Sequence, residues 1–353
     1  MNRSVIRSID RARPIRRPTG LENYSPTQRK KHQDLNHRFV SSQPNQQQPQ
    51  PGDGTDRLTH FGFRDVPENL KQKLGIGNRI NCVQYDSTTE IPLLKKILSF
   101  FFKKKVGNVF SSVASSYDLM NDAMSLGIHR LWKDQFIKSI DPNGSLNCLD
   151  VAGGTADIAL RILDNSRLMH SNRDTKVLVV DINPKMLEEG QKKVRRTVYH
   201  TNREEDRQID FRVGDAEDLR NVEDGSVDLY TISFGIRNCT NIDKVLREAY
   251  RVLKKGGRFS CLEFGKVQNP ILSRLYEAYS FNVIPNLGHI IASDRDSYQY
   301  LVESIQKFPS QPEFARMIEE AGFILPRPSR ENGMKRWADL SFGLASIHDG
   351  VKL

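Results

Sequence analysis

The stretch Leu149–Asp157, LDVAGGTAD, decides the fold of this chain. It joins a short, mostly apolar run to a segment with helical spacing, and two adjacent glycines stand at its centre. Glycines let the backbone approach a ligand closely, and the first turn of the following helix offers free N–H donors. A strand, a glycine loop and a helix in this order are typical of a nucleotide-type site. The loop alone does not choose among NAD, FAD and S-adenosylmethionine.

Strands and helices alternate along the chain around this loop. Short β-branched runs separated by helical patterns predict βαβ units and a mainly parallel sheet, hence an α/β fold. The predicted strands are Asn147–Ala152, Lys176–Val180, Ile209–Val213, Val227–Ser233 and Arg258–Phe264, with Gly343–His348 as a candidate last strand. The predicted helices are Val106–Asp118, Ile128–Ile140, Asp157–Asp164, Asn183–Thr197, Ile242–Leu253 and Ile271–Phe281. Lys254–Arg258 (KKGGR) is interpreted as a structural turn between a helix and a strand.

Three features narrow the ligand of the loop. Counted from Gly153, the sequence reads Gly-Gly-Thr-Ala-Asp-Ile, so the G-x-G-x-x-G spacing that suits a pyrophosphate is broken. Asp181 ends the second strand, where a carboxylate can accept hydrogen bonds from both ribose hydroxyls. Asp215 follows the third strand, where it can meet an adenine amino group. One such acid could be a capping residue, but acids at successive strand ends together favour S-adenosylmethionine, a cofactor without phosphates.

Several blocks make the sequence specific to a family. Residues 106–353 closely resemble the UbiE-type ubiquinone/menaquinone C-methyltransferases, through VFSSVASSYDLMNDAMSLGIHRLWKD (109–134), LDVAGGTADIA (149–159), TISFGIRN (231–238) and DSYQYLVESIQKFPSQPEF (296–314). The parts at 117–130, 231–238 and 296–309 mark this family rather than methyltransferases in general. The resemblance implies a class I methyltransferase fold, which is a Rossmann-like, seven-stranded sheet with its last strand antiparallel.

The resemblance also implies an activity and a set of cofactor contacts. The implied reaction is C-methylation of 2-methoxy-6-polyprenyl-1,4-benzoquinol in ubiquinone biosynthesis, with S-adenosylmethionine as donor and no metal. By motif, the cofactor contacts carry over to Thr155, Asp181, Asp215, Ala216 and Ser233. The loop glycines, Gly153 and Gly154, join this set because their backbone can lie against the ligand.

Catalytic candidates follow from the chemistry of methylating a ring carbon. The carbon becomes a better nucleophile when the adjacent hydroxyl is deprotonated, so a base or a bound water is expected there. Arg237 cannot act as a base, but it can stabilise a phenolate and orient a water. Asn238 stands beside it, and Tyr117 in the N-terminal block could close over the cofactor. We expect Arg237, Tyr117 and Asn238 to be the catalytic residues.

The N-terminal part predicts a targeting segment followed by a linker. Residues 1–40 hold ten Lys or Arg and three acids, which is +7 of the formal charge of +10. On a helical wheel Val5, Ile9 and Ala12 share one face and three arginines the other, a pattern typical of a mitochondrial transit peptide. A disordered basic tail is the alternative. Residues 41–105 are interpreted as a disordered linker and an atypical insert, and 106–353 as the methyltransferase domain.

Two segments depart from the family pattern. About 30 residues, Leu74–Lys103, have no counterpart in it. We expect either a retained intron or an insert specific to this lineage, and a transcript spanning the segment would decide between them. Pro326–Asp339 (PRPSRENGMKRWAD) departs from the usual final hairpin, and this concerns the end of the sheet and not the cofactor site.

Localisation and partners follow from the substrate that the resemblance implies. No stretch approaches the roughly 18 apolar residues of a membrane span, yet a polyprenyl tail has to come from a membrane. We therefore expect a peripheral protein on the matrix side of the mitochondrial inner membrane, with Phe281–Ala292 as an apolar route for the tail. Other ubiquinone-biosynthesis proteins in a multi-subunit complex, and a homodimer, are the expected protein partners. No nucleic-acid partner is expected, because residues 41–353 carry only +3.

Four alternatives remain open at this point. A related quinol, demethylmenaquinol, would use the same chemistry. An NAD-dependent Rossmann oxidoreductase is disfavoured by the broken glycine spacing, and the cofactor that raises the melting temperature would decide. A nucleic-acid methyltransferase is disfavoured because ISFGIRN stands where amine-targeting enzymes carry an NPP-aromatic tetrapeptide. A non-catalytic assembly subunit is disfavoured by the intact loop and acids, and a turnover assay with a short-tail quinol would test it.

Overall fold

The computed structural model describes the chain almost completely from residue 127 onward. The described residues are Lys103, Gly107, Ser111, Ala114, Asp118, Asn121, Asp122, Ser125, 127–271, Arg274, 295–328 and 333–353, with the backbone alone for 295–299. The predicted transit peptide, the linker, Tyr117 and Phe281–Ala292 lie outside them, as does most of the predicted helix Ile271–Phe281. Of the predicted helix Val106–Asp118, residues 107, 111 and 118 are described as helical.

Seven strands form one mixed sheet in the described part of the chain. They are β1 (Asn147–Val151), β2 (Lys176–Asp181), β3 (Ile209–Val213), β4 (Val227–Ser233), β5 (Leu253–Phe264), β6 (Trp337–Leu340) and β7 (Ala345–Val351). Their order is β3-β2-β1-β4-β5-β7-β6. The first five are parallel, and β7 runs antiparallel to both of its neighbours. The predicted α/β fold with an antiparallel last strand is confirmed.

Six α-helices of the continuously described part of the chain accompany this sheet. They are α1 (Ile128–Ile140), α2 (Asp157–His170), α3 (Pro184–Val194), α4 (Ile242–Val252), α5 (Arg295–Lys307) and α6 (Gln311–Glu320). The bounds of α1, β3 and β4 agree residue for residue with the prediction. Helix α3 begins one residue later than predicted because Asn183 is its N-cap, with its side chain accepting from Lys185 N at 3.0 Å and Pro184 in the first turn.

Three parts of the fold differ from the sequence prediction. Helix α2 continues to His170 rather than stopping at Asp164, because the buried hydroxyl of Ser166 donates to Pro142 O at 3.1 Å instead of breaking the helix. The KKGGR segment is an irregular part of β5 rather than a turn before it. Gly256 has φ 80°, and the β4–β5 register jumps there from Leu253 to Arg258. Helices α5 and α6 were not predicted, although Ser310 and Glu313 form a capping box at the start of α6.

The sheet ends in a hairpin despite the unusual sequence of 326–339. Strand β6 pairs with β7 from Trp337↔His348 to Leu340↔Ala345, so a final hairpin is present. The connection contains two non-glycine residues with left-handed backbone, Ser341 (φ 47°) and Phe342 (φ 61°). The strand β6 was missed because this hairpin lacks the usual Asn-Gly or Asp-Gly signal.

Two hydrophobic layers enclose the sheet. On one face Phe136, Ile162 and Leu187 from the first three helices pack in a single cluster. On the other face Leu246 and Phe314, from α4 and α6, pack with the second cluster. The parallel strands therefore end at one open edge between the layers, which is where ligands bind in such sheets. Among the described residues no helix combines the length and apolar composition that crossing a membrane requires.

Candidate active site

The loop between β1 and α2 brings bare backbone to the open edge of the sheet. Gly153 N donates to Val180 O at 3.2 Å, which fixes the loop against β2. A Cβ on Gly153 would lie 2.7 Å from both Asp150 Oδ2 and Val179 Cγ1, so no side chain fits there. Gly154 has φ 50°, a conformation that favours glycine. The sequence thus permits a close ligand approach at this point.

The acid at the end of β2 is held against the glycine loop. Asp181 Oδ2 accepts from Gly154 N at 3.0 Å, and Oδ1 accepts from Asn183 N at 2.8 Å. Burial raises the pKa of Asp181 to about 6, and the backbone donors oppose this shift. Within the described part of the chain, the Asp181 carboxylate is therefore positioned by backbone N–H groups rather than by a counter-ion.

The acid after β3 is paired with a lysine from the N-terminal part of the chain. Lys103 Nζ lies 2.5 Å from Asp215 Oδ2 and 3.2 Å from Glu217 Oε2. Asp215 Oδ1 also accepts from Glu217 N at 3.0 Å, and Ala216 lies between the two acids. The Lys103–Asp215 ion pair offsets one negative charge at the end of the cleft where an adenine amino group is expected.

The end of β4 completes the cleft. Ser233 Oγ is buried and has no hydrogen-bond partner among the described residues. Phe234 follows with left-handed backbone (φ 53°), and its ring lies 4.9 Å from Phe264 and 6.2 Å from Trp132 between centroids. A Cβ on Gly235 would lie 2.5 Å from Ala152 Cβ, so the β4 loop and the glycine loop touch directly.

One cleft collects these elements. All the residues predicted to contact the cofactor line it: Gly153, Gly154, Thr155, Asp181, Asp215, Ala216 and Ser233. Asn238 lines it too, with its Oδ1 accepting from Tyr300 OH at 3.1 Å. The tertiary structure thus brings together positions that are up to 85 residues apart in sequence, from Gly153 to Asn238.

Arg237 occupies a different place from the other predicted residues. Its side chain is 3% exposed, its Nη1 lies 2.9 Å from Glu263 Oε1, and the same nitrogen donates to Phe234 O. Its guanidinium carbon lies 5.2 Å from the centre of the Phe264 ring. Arg237 is not among the described residues that line the cleft. The arginine supports the cleft wall from behind through Phe234.

Sequence reasoning missed several charged residues in and beside the cleft, of which three are informative. Asp150 is fully buried, accepts from Thr231 Oγ1 at 2.8 Å through Oδ1, and faces the cleft. Lys133 on α1 is 6% exposed and also lines the cleft. Glu263 on β5 pairs with Arg237. Asp150 stands directly before the glycine loop and could have been found, whereas Lys133 and Glu263 carry no local sequence signal.

The chemistry of the cleft fits a cationic nucleoside cofactor. Three carboxylates, those of Asp150, Asp181 and Asp215, lie at the ends of neighbouring strands around the glycine loop. Asp150 Oδ2 is buried beside the glycine loop and has no hydrogen-bond partner among the described residues. Acids suit a sulfonium nucleoside and would repel the pyrophosphate of a dinucleotide. Fold and cleft together define a class I S-adenosylmethionine-dependent methyltransferase.

Comparison with known proteins gives the family. The model of the ubiE/COQ5 methyltransferase family matches residues 98–352, and the chain belongs to this family. The match includes residues 98–103 of the segment for which we expected no counterpart.

Named relatives cover most of the chain. A Schizosaccharomyces pombe protein named 2-methoxy-6-polyprenyl-1,4-benzoquinol methylase, mitochondrial, is 48% identical over 304 residues, which are 85% of this chain and 86% of that protein. Proteins with the same name are 51% identical over 260 residues in Oryza sativa subsp. japonica, covering 71% of this chain and 84% of that one. The Dictyostelium discoideum protein of this name is 43% identical over 321 residues, which are 86% of this chain and 88% of that protein.

Proposed function

We propose that this enzyme methylates a ring carbon of 2-methoxy-6-polyprenyl-1,4-benzoquinol in ubiquinone biosynthesis, with S-adenosylmethionine as donor. The relatives that carry this name span most of the chain. The structural observation that carries the proposal is the aromatic wall of the cleft, where Phe234 lines the cleft and packs on Phe264 and Trp132. A quinol ring is flat and apolar on its faces, and aromatic side chains pack on such rings.

The proposed contacts follow the order of the strands. Asp181 holds the ribose hydroxyls, Asp215 and Ala216 face the adenine, and Ser233 lies at the end of β4. Gly153, Gly154 and Thr155 present the backbone and a hydroxyl to the cofactor. The cofactor supplies an electrophilic methyl group on a sulfonium. Support comes from the joint presence of all seven residues in one cleft.

The proposed catalytic work of the chain is positioning and charge stabilisation. Transfer forms a carbon–carbon bond, breaks the carbon–sulfur bond and leaves a ring proton to be lost to a base or water. Asn238 lies in the cleft and orients the quinol or a water. Arg237 acts as a positioning residue that holds Phe234 in the cleft wall, because it does not reach the ring oxygen itself. Tyr117 is expected to close over the reactants. Pre-alignment of two bound reactants can contribute about 7–11 kcal/mol at most.

We further propose a mitochondrial, peripheral location on the matrix side of the inner membrane. The relatives are named as mitochondrial proteins. The arginine-rich face of residues 1–40 supports a cleavable transit peptide, with 41–105 as linker and insert and 106–353 as the catalytic domain. The exposed side chains of Phe342 (82%) and Leu131 (65%) offer apolar contact to a lipid surface. Identifying the N-terminal residue of the protein isolated from mitochondria tests the cleavable transit peptide. Release of the protein from membranes by salt tests the peripheral location.

Protein partners belong to the proposal as well. We propose that the enzyme works in a complex with other ubiquinone-biosynthesis proteins and forms a homodimer. The support is the family resemblance. Mass measurement of the purified chain by light scattering, and isolation of the tagged protein from mitochondrial membranes, test the two assemblies separately.

A reconstituted assay tests the reaction. Purified enzyme, S-adenosylmethionine and a short-tail 2-methoxy-6-prenyl-1,4-benzoquinol kept reduced should give a product heavier by one methylene, with the new methyl on the ring carbon. Asp181→Ala should abolish turnover because it removes the proposed ribose acceptor. A demethylmenaquinol analogue is the competing substrate, and turnover of this analogue alone would overturn the proposal. Turnover of neither quinol would favour a non-catalytic role.

A further inference from the structure

A hydrogen bond joins helix α5 to a side chain of the cleft. Tyr300, on α5, is 6% exposed, and its hydroxyl donates to Asn238 Oδ1 at 3.1 Å. Asn238 ends the short turn after β4 and lines the cleft, whereas Tyr300 is not among the described residues that line it. Buried tyrosine hydroxyls usually find a hydrogen-bond partner. Here the partner belongs to the candidate active site and lies 62 residues away in sequence.

The bond determines which end of the Asn238 amide faces the cleft. An asparagine side chain carries one acceptor oxygen and one NH2 group with two donors. The Tyr300 hydroxyl occupies Oδ1. Nδ2 has no acceptor among the described residues, and it is not one of the buried polar atoms without a partner. The amide therefore presents N–H donors to the cleft, and its oxygen is turned toward α5.

The backbone of this turn is held in place by its own contacts. Asn238 N donates to Gly235 O at 3.0 Å, which closes the turn. Arg237, the preceding residue, is buried in its ion pair with Glu263. The Asn238 amide can still rotate about its side-chain bonds. The Tyr300 hydroxyl supplies the restraint on this rotation that the backbone does not.

A donor at this position fits the chemistry of the proposed reaction. Phe234 and Asn238 flank the same turn and both line the cleft, so a ring that packs on Phe234 lies in the same part of the cleft as Asn238. Methylation of a ring carbon is favoured by negative charge on the adjacent ring oxygen. A hydrogen bond donated to that oxygen favours its ionised form, whereas an acceptor facing the hydroxyl favours the protonated form. The orientation of this amide therefore affects the rate.

We propose that Tyr300 is a positioning residue for the methyl transfer, which holds the Asn238 amide so that Nδ2 donates to the ring oxygen beside the methylated carbon. Tyr300 acts through Asn238 and does not touch the reactants. The inference rests on the proposed function, because it requires a substrate with a ring hydroxyl. It gives the family block 296–314 a role in the reaction, through a bond that no local sequence pattern reveals.

Tyr300→Phe removes the hydroxyl and keeps the aromatic ring. In the quinol assay its kcat should fall about tenfold, with KM for S-adenosylmethionine unchanged. This is less than the loss of about 100–1000-fold that follows deletion of an oxyanion donor, because the donor is released and not deleted. Tyr250→Phe is the matched control and should keep the wild-type kcat. Tyr250 lies on α4, packs on Phe323 with ring centroids 5.1 Å apart, and is not among the described residues of the cleft.

Asn238→Ala tests whether the two residues act together. This substitution deletes the donor and should lower kcat by about 100–1000-fold. On this background Tyr300→Phe should cause no further loss, because the hydroxyl has no amide left to hold. Losses that multiply in the double variant would show that Tyr300 acts independently of Asn238, and they would overturn the inference.

A coloured phenol reports the orientation of the amide without any turnover. 4-Nitroguaiacol is a methoxyphenol whose ionised form absorbs visible light, so its pKa can be titrated in the complex with the enzyme and S-adenosylhomocysteine. The wild type should lower the pKa of the bound phenol below its value in free solution. Tyr300→Phe should return this pKa toward the free value, and Tyr250→Phe should match the wild type. Neither substitution changes a formal charge, so the Lys103–Asp215 and Arg237–Glu263 ion pairs act equally in all three proteins.

The phenol titration also separates the possible failures. If the wild type leaves the pKa of the phenol at its free value, Asn238 is not a donor to the ring oxygen and the inference is wrong. If Tyr300→Phe lowers kcat but keeps the wild-type pKa of the bound phenol, the tyrosine only supports the fold, and the inference is again wrong. If the wild type methylates no quinol but still shifts the phenol, the proposed substrate is wrong while the positioning by Tyr300 stands.

Discussion

Arg237 and Glu263 form an ion pair in the interior, with Nη1 2.9 Å from Oε1 and the two side chains 3% and 0% exposed. Glu263 Oε2 also accepts from Arg237 N at 3.4 Å, so its carboxylate ties β5 to the turn after β4. Burial raises the pKa of Glu263, and the charge of Arg237 opposes this shift. The pair therefore connects the family block 231–238 to the neighbouring strand.

Glu263→Gln should destabilise the protein and lower its turnover. Removing one partner leaves a buried guanidinium without a counter-charge, which costs about 3–5 kcal/mol. Urea unfolding measures the stability, and the quinol assay measures kcat and KM separately. Glu263→Asp should recover part of the stability and part of the turnover, because it restores the negative charge at a slightly greater distance from Arg237. Wild-type stability and kcat for Glu263→Gln would show that the pair does not hold the cleft wall.

Gly153→Ala should abolish cofactor binding. The new Cβ would lie 2.7 Å from Asp150 Oδ2 and from Val179 Cγ1, closer than such atoms normally approach, so the loop would have to move. Calorimetry with S-adenosylhomocysteine measures the loss. Gly107→Ala is the control, because Gly107 also lines the cleft and its Cβ would meet nothing within 4 Å. Normal binding by Gly153→Ala would contradict the geometry of the loop.

Ala156→Gly should change stability little, because relief of left-handed backbone, which costs an L-residue about 1–2 kcal/mol, offsets the loss of a buried methyl group worth about 0.8 kcal/mol. Ala156 has φ 62° at the start of α2. Thermal unfolding measures the change in Tm. The same substitution at Ala159, inside α2, should destabilise by about 2 kcal/mol, because it loses both helix propensity and a buried methyl group with no backbone strain to relieve. Equal effects of the two substitutions would rule out backbone strain at Ala156.

His348 should make the fold sensitive to acid. It is 1% exposed, its ring stacks on Trp337, and burial lowers its pKa to about 4 from an ordinary 6.5. The unfolded chain binds the proton more readily, so this stability is fully present above pH 6.5. This contribution to the free energy of unfolding is lost as the pH falls from 6.5 towards 4. The total loss is about 3 kcal/mol, because one pKa unit corresponds to about 1.4 kcal/mol.

Urea unfolding between pH 7 and pH 4 tests this for wild type and for His348→Phe. The variant keeps an aromatic ring on β7 and removes the titrating group. Its stability should fall less over this range than that of the wild type. Parallel pH profiles of the two proteins would assign the acid sensitivity to other groups.

Much of the central sheet could be predicted from local patterns. The runs Ile209–Val213 and Val227–Ser233 are β-branched and bounded by polar residues, and both strands formed as predicted. Helices α5 and α6 and the strand β6 were missed, because their ends depend on long-range packing and on a hairpin without a glycine pair. Phe342 has a left-handed backbone conformation, which a bulky residue adopts only where the surrounding fold supports it. Sequence propensity therefore does not predict this turn.

The sequence by itself determined that a glycine loop follows a strand and that acids end the next two strands, because backbone freedom and strand-end positions are local properties. It also determined the family, through contiguous blocks. Only the tertiary structure decided that Arg237 is buried against Glu263, and that Lys133 and Asp150 share the cleft with Asp181. Charge pairs such as these form between elements far apart in the chain. Their distance, burial and free donors are set by how the helices pack on the sheet, which local sequence does not encode.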